Sequence, residues 1–326
     1  MYFSKQNNFF HGIMFHHFHD DKIHKKSQGS ISKDDFYKII KFIGKENILD
    51  SDEFLNRHKE NNLKAKDVCF TFDDSLKSHY DIAIPVLEDL KIKCFFFSQS
   101  SYLDKGKTNN EDLLETYRYF RTNYFSNMEE FYDSFFKEIK TDLTNFFNSN
   151  KKNEDILKAK FPFYSKLDIK FRLVRDQFLA KRNYKQIMSD MFKKKDFKPE
   201  DYYENLFLSS KHILEMKNLG HLIGLHSHTH PTMIQNLSYE DQLYQYEKNL
   251  EVLSKILSCN KKDISYMSHP NGSYNENTLT ILKNLGIKLG FKSIMKIEPE
   301  KKMKKINNSF LEIARQDHAE IKKLIR

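Results

Sequence analysis

The chain has 326 residues, 39% of them hydrophobic, with 29 Phe and 17 Tyr against only 9 Gly and 6 Pro. That composition supports one large domain, or a domain carrying a long insertion, and excludes a disordered linker protein. A net charge of +9 favours an anionic partner, such as a sugar nucleotide, a phospholipid-linked glycan or a membrane surface. Nucleic acid is not expected, because no basic motif of a nucleic-acid module occurs.

The first apolar run, 10–18, leads into His16-His17-Phe18-His19-Asp20. Alternation along a strand turns one imidazole toward the strand's working end and its neighbour away, so His16 and His17 are candidates for a substrate-binding or wall role. The second run, 67–73, delivers Thr71-Phe72-Asp73-Asp74-Ser75. Paired carboxylates there have two readings: a helix cap, or a division of labour in which one holds a metal and the other takes a proton from water. A third run lies at 93–99, and Cys69 and Cys94 fall in these runs as small core residues rather than a disulfide framework.

From 104 to 204 the pattern changes to helix. Ser126–Glu129 has the spacing of a capping box, Phe131, Phe135, Phe136, Ile139, Leu143, Phe146 and Phe147 fall on one stripe, and more helix is expected at 168–192. This reads as a helical insertion, either a packing elaboration or a lid or docking surface. Strand–helix alternation then resumes. Ser209 or Ser210 caps a helix that Gly220 stops, and a strand at 221–226 runs into His226-Ser227-His228-Thr229-His230-Pro231. Strands follow at 264–269, at 287–293 after a helix between Asn275 and Gly286, and at 310–315. Seven strands joined by helices imply a parallel α/β architecture, an open sheet or a barrel, built from 1–103 and 205–326. Asp73, Asp74, Gln99, His226, His269 and Arg315 all sit at strand ends, where such folds carry chemistry. Two His and one carboxylate form a standard catalytic zinc set with a position left open.

Three ordered motifs, Thr71–Ser75, His226–Pro231 and Ser268-His269-Pro270-Asn271-Gly272-Ser273-Tyr274-Asn275, resemble those of the polysaccharide deacetylases, the NodB-homology domains of carbohydrate esterase family 4. The resemblance implies a distorted (β/α) barrel of about seven parallel strands. It also implies a metal-dependent hydrolase that removes an N-acetyl group from an amino sugar in a surface-glycan pathway. By it, Asp73 is the general base, while Asp74, His226 and His230 hold one divalent metal ion, Zn2+ in the first instance with Co2+ or Mn2+ as alternatives. Pro270, Asn271 and Gly272 become substrate-binding, with the Asn271 N–H facing an oxyanion.

Ser75 stands where the family has Gly, Ser268 where it has an Arg that steadies the base, and its late acid His is not apparent. Arg315 and His318, in Ile313–His318, are expected to supply both missing functions, Arg315 by pairing with Asp73 and His318 as general acid. The other reading makes Asp317 a helix cap and His318 a surface residue. His228, between the two ligand histidines, is expected beside the centre or exposed. The expected partner is an acylated amino sugar, with nucleotide- and lipid-linked forms both open. No signal core and no membrane-length apolar stretch occur, so a cytoplasmic protein is the expectation. Competing functions are a sugar N-deformylase or O-acetyl esterase, and a non-catalytic glycan-binding protein on a degenerate deacetylase fold.

Overall fold

The computed structural model describes residues 9–20, 22–104, 114–160, 164–179, 181–295 and 306–325. Two compact units emerge, residues 1–110 with 203–326, and residues 111–202. The second unit therefore begins a few residues later than the 104–204 insertion read from sequence.

In the first unit seven short strands pair in parallel: β1 (His11–Phe15), β2 (Val68–Phe72), β3 (Phe95–Ser98), β4 (Leu222–Leu225), β5 (Tyr266–Ser268), β6 (Leu289–Phe291) and β7 (Arg315–Asp317). Their order is β6-β5-β4-β3-β2-β1-β7. A parallel bridge from Phe291 to Ile313, just before β7, brings the two edges together, so the sheet is a nearly closed barrel. Connecting helices carry the expected caps. Ser209 accepts the His212 N–H at the start of the helix Ser210–Asn218, and Gly220, at φ 91°, ends that turn in the left-handed region that glycine tolerates. The same pattern repeats with Asn275 and the helix Glu276–Asn284.

Strand parity sorts the core into two layers, because successive side chains point to opposite faces. Ile13, Phe15, Val68, Phe70, Phe72, Phe96, Ile223, Leu225 and Met267 pack outward with helix residues such as Phe36, Leu253 and Leu282. Cys69, Phe95, Phe97, Tyr266, Leu289, Phe291 and Ile313 form a separate inner cluster. Continued along each strand, the inner parity selects His16, Asp73, Gln99, His226, Ser268, Arg315 and Asp317. The pattern that fills the barrel with apolar side chains thus delivers polar ones at its C-terminal rim.

Two expectations shift. The last strand is not the apolar run 310–315 but Arg315–Asp317, which pairs with Gly12–Met14. Ile313 makes only the single bridge to β6, so Arg315 opens the strand rather than closing it.

The second unit is helical around Tyr117, Phe120, Phe125, Phe131, Phe135, Phe171, Phe192 and Phe197. Its expected long aromatic helix is two helices, Met128–Glu138 and Thr144–Ser149, because Ile139 turns extended at ψ 101°. The cap is also displaced by one residue, with Asn127 accepting the Glu130 N–H and Glu130 accepting that of Ser126. Helix at 168–192 is likewise interrupted, at Leu179. Among the described residues no helix is long and apolar enough to cross a membrane.

Candidate metal centre and its surroundings

The Asp73 N–H donates to Phe15 O at 3.2 Å, which carries the β1–β2 pairing one step past β2 and sends the Asp73 side chain inward. Arg315 meets it there. Its Nη1 and Nη2 donate to Asp73 Oδ1 and Oδ2 at 2.8 and 2.7 Å, and its Nε donates to Lys292 O at 2.8 Å. Arg315 is fully buried, and its passage up the barrel depends on Gly12, where an added Cβ would lie 3.1 Å from Arg315 Cγ and 3.2 Å from the Phe291 ring. Burial alone would raise the Asp73 carboxyl, but the charge and hydrogen bonds of the Arg315 guanidinium outweigh it and hold the group down at about 2. Asp73 is an anion at neutral pH with a bidentate partner, the pairing expected for it.

Asp74 faces a different set of groups. Asp74 and Ser75 adopt φ 75° and 57°, a left-handed pair that turns the chain just past β2. Ser75 holds this costly turn, and its hydroxyl lies 2.6 Å from that of Ser98. Asp74 Oδ1 lies 3.3 Å from His226 Nε2 and 3.1 Å from His230 Nε2, and the two ring nitrogens are 3.1 Å apart. Donors held at ~2.0–2.1 Å from a tetrahedral ion sit about 3.3 Å from one another, so the triangle fits such an ion. His226 Nδ1 faces the Ser268 carbonyl at 3.0 Å. Because a carbonyl only accepts, that nitrogen carries the proton and Nε2 turns a lone pair into the triangle. Burial would raise Asp74 too, yet its histidine neighbours hold it well below the ordinary carboxylate range. This donor set suits a cation.

His16 Nε2 stands 3.9 Å from Asp73 Oδ2 and 4.0 Å from Asp74 Oδ2, with a quarter of its side chain exposed. The His79 ring donates to the His16 carbonyl. Burial among Phe18, Phe72 and Phe96 lowers His79 to about 3, so it is neutral. His17 is partly buried with its ring near that of His16, at 6.1 Å.

His318 is not placed as an acid. It is buried, with Nδ1 3.1 Å from Met14 O and Nε2 3.0 Å from Gly29 O. Both nitrogens are turned onto backbone acceptors, and the ring stacks on Phe15. Asp317 does cap the helix His318–Lys322, through the Ala319 N–H. Ligand atoms of His16, Asp317 and His318 lie within 4.8 Å of one another, but the carbonyl contacts of His318 argue against a second ion there.

His228 is buried rather than exposed; its ring meets Ser100 Oγ at 2.9 Å and its carbonyl accepts the Ser100 and Ser101 N–H groups. Pro270, Asn271 and Gly272 form a tight turn beyond β5, with Pro270 buried, Asn271 exposed and Gly272 between, closed by Gly272 N–H to His269 O at 3.0 Å. His269 itself is structural, stacked on Tyr274 and bonded to Leu311 O.

Two supports went unread in the sequence. Asn249 Oδ1 accepts the His226 N–H at 2.9 Å while its Nδ2 donates to Ser98 O, and Gln245 accepts the Thr229 N–H. Both lie on the helix Tyr239–Ile256, where Gln242, Gln245 and Asn249 interrupt the buried stripe of Tyr246, Leu250 and Leu253. A polar residue on an apolar stripe is the signal that could have found them.

Against this geometry, the profile of the family described as polysaccharide deacetylase matches residues 60–290. A comparison with curated proteins gives no match. Solved structures share the fold at low identity. A deacetylase of Streptococcus pyogenes, PplD, in complex with acetate is 17% identical, with 97% of this chain and 98% of that one covered and a TM-score of 0.54. IcaB from Ammonifex degensii gives 15%, 95%, 91% and 0.53 for the same four measures, and a de-N-acetylase from Aggregatibacter actinomycetemcomitans gives 12%, 95%, 95% and 0.53.

Proposed function

The chain belongs to the polysaccharide deacetylase family, and from that premise we propose that it is a metal-dependent deacetylase removing N-acetyl groups from an amino sugar of a glycan. One observation carries the reading: Asp74 Oδ1, His226 Nε2 and His230 Nε2 converge at 3.1–3.3 Å beside a separately held carboxylate, Asp73. A divalent ion held by Asp74, His226 and His230 would supply Lewis acidity toward a carbonyl and toward water.

The chain's own groups do the rest. Asp73, ionised and fixed by Arg315, accepts the proton of the attacking water. The leaving nitrogen needs a proton, and we assign that role to His16. Its Nε2 faces both carboxylates across a gap too wide for a direct hydrogen bond and wide enough for a reacting atom. The hold of His79 on the His16 carbonyl fixes where that ring starts. Arg315 also answers the objection raised by Ser268. The guanidinium missing from the third motif is supplied from β7, which weighs against a degenerate, non-catalytic fold. One neighbour in fold is itself a de-N-acetylase, which favours nitrogen over oxygen as the acyl carrier.

The test uses the full chain loaded with Zn2+, Co2+ or Mn2+ and a panel of N-acetyl, N-formyl and O-acetyl amino sugars, free, oligomeric and nucleotide-linked. Acetate release from N-acetyl sugars, abolished in Asp73→Asn, is the expected result. Formate release or ester-only activity selects the deformylase or esterase reading. Stoichiometric metal with no acyl release from any sugar overturns the enzyme in favour of a binding module.

A further inference from the structure

We propose that Ser268 is a positioning residue whose hydroxyl couples the metal ligand His226 to the base Asp73, an inference that rests on the metal-dependent reading above. Ser268 ends β5 on its inner parity and is completely buried. Its Oγ lies 2.6 Å from His226 Nδ1 and 3.0 Å from Asp73 Oδ1. The direction of the chain follows from what each atom can do. His226 Nδ1 carries one proton, since it faces the Ser268 carbonyl, and shares it between that carbonyl and Oγ. The hydroxyl has one hydrogen, and Asp73 Oδ1 can only accept it.

Two consequences follow. The His226 tautomer is fixed with the Nε2 lone pair turned toward His230 and Asp74, as a ligand needs. Asp73 Oδ1 receives two donors, Ser268 Oγ and Arg315 Nη1, whereas Oδ2 receives Arg315 Nη2. Oδ2 is therefore the oxygen left with capacity, and it is the one facing His16 and His226 Nε2, at 3.9 and 4.0 Å. Ser268 thus selects which oxygen takes the water proton.

The experiment compares Ser268→Ala, Ser268→Val and Ser268→Thr with the parent in the full chain, Thr and Val having the same shape with and without the hydroxyl. Co2+ affinity is read by competition with a chromophoric chelator, together with the visible cobalt spectrum and, on the substrate found above, kcat and KM separately. Ala and Val are expected to weaken Co2+ binding and lower kcat by about 10- to 100-fold, to alter the spectrum and to leave KM nearly unchanged. Thr is expected to restore all three. Parent-like affinity, spectrum and kcat in Ala overturn the proposal alone, as does a Thr variant as impaired as Val. Parent protein that takes up no Co2+ overturns the metal reading, and this one with it.

Discussion

Arg315→Met removes the group on which Asp73 depends while keeping a long apolar stem in the barrel. The side chain is fully buried and makes three short bonds, two of them to a carboxylate that is itself 2% exposed. Breaking a buried ion pair from one side costs about 3–5 kcal/mol, because the remaining charge stays in the interior uncompensated. Against a typical total of about 5–15 kcal/mol that is a large share of the stability. The pH dependence should also change sign. In the parent, Asp73 titrates at about 2 when folded against a usual 3.8, so its contribution of about 2 kcal/mol is present above 3.8 and lost as pH falls toward 2. Without the guanidinium, burial is the dominant influence and lifts the carboxyl above 3.8. Its contribution is then complete below 3.8 and lost as pH rises through the new value. Urea unfolding at several pH values, in one metal-free buffer, reads both effects. The acid limb of the kcat/KM profile should move upward as well, since the base works only when ionised. A variant within about 1 kcal/mol of the parent, with an unmoved pH profile, would refute the role given to Arg315.

Other outcomes follow from the same geometry. His16→Ala should cost turnover by about 100-fold or more while leaving the unfolding midpoint nearly unchanged. His318→Ala should do the reverse, losing about 2–3 kcal/mol for a buried ring and its carbonyl contacts with turnover reduced only a few-fold. The opposite pattern in activity and denaturation assays would return the acid role to His318. Acid should unfold the protein early, because burial holds His11 near 4 and both His79 and His221 near 3, against 6.5 when exposed. A histidine lowered on folding contributes nothing to pH dependence above 6.5 and destabilises the fold as pH drops below it, by about 2 kcal/mol each at pH 5. Circular dichroism that stays flat from pH 7 down to pH 4.5 would contradict this.

Much of the barrel was legible because its strands are short, buried on both faces and therefore continuously apolar: Val68–Phe72 and Phe95–Ser98 announce themselves. Caps at Ser209 and Asn275 were legible for a local reason, a side chain reaching three residues along. The last strand was not. Arg315, Gln316 and Asp317 pair as a strand while their side chains serve the site and the next helix, so no apolar pattern marks them. The break at Ile139 was hidden because the aromatic spacing runs on across it. At the site, motif chemistry identified Asp73, Asp74, His226 and His230 as candidates, and the structure brings them together. The reassignment of the acid proposed here has a spatial cause. His318 and His16 lie on neighbouring strand ends, and only the fold reveals that one ring is turned onto carbonyls while the other faces the carboxylates. Ser268 looked like a loss because a missing Arg is visible in sequence; Arg315 was the expected replacement, and its guanidinium does reach Asp73 from β7.

The most direct test of the centre is the metal content of the purified chain, measured by mass spectrometry of the elements after gentle preparation, beside a His226→Ala/His230→Ala double variant. About one divalent ion per chain in the parent, and none retained by the folded double variant, is the expected result for a three-ligand site. A parent without stoichiometric metal even after loading, or a double variant that holds as much as the parent, would contradict the assignment of Asp74, His226 and His230.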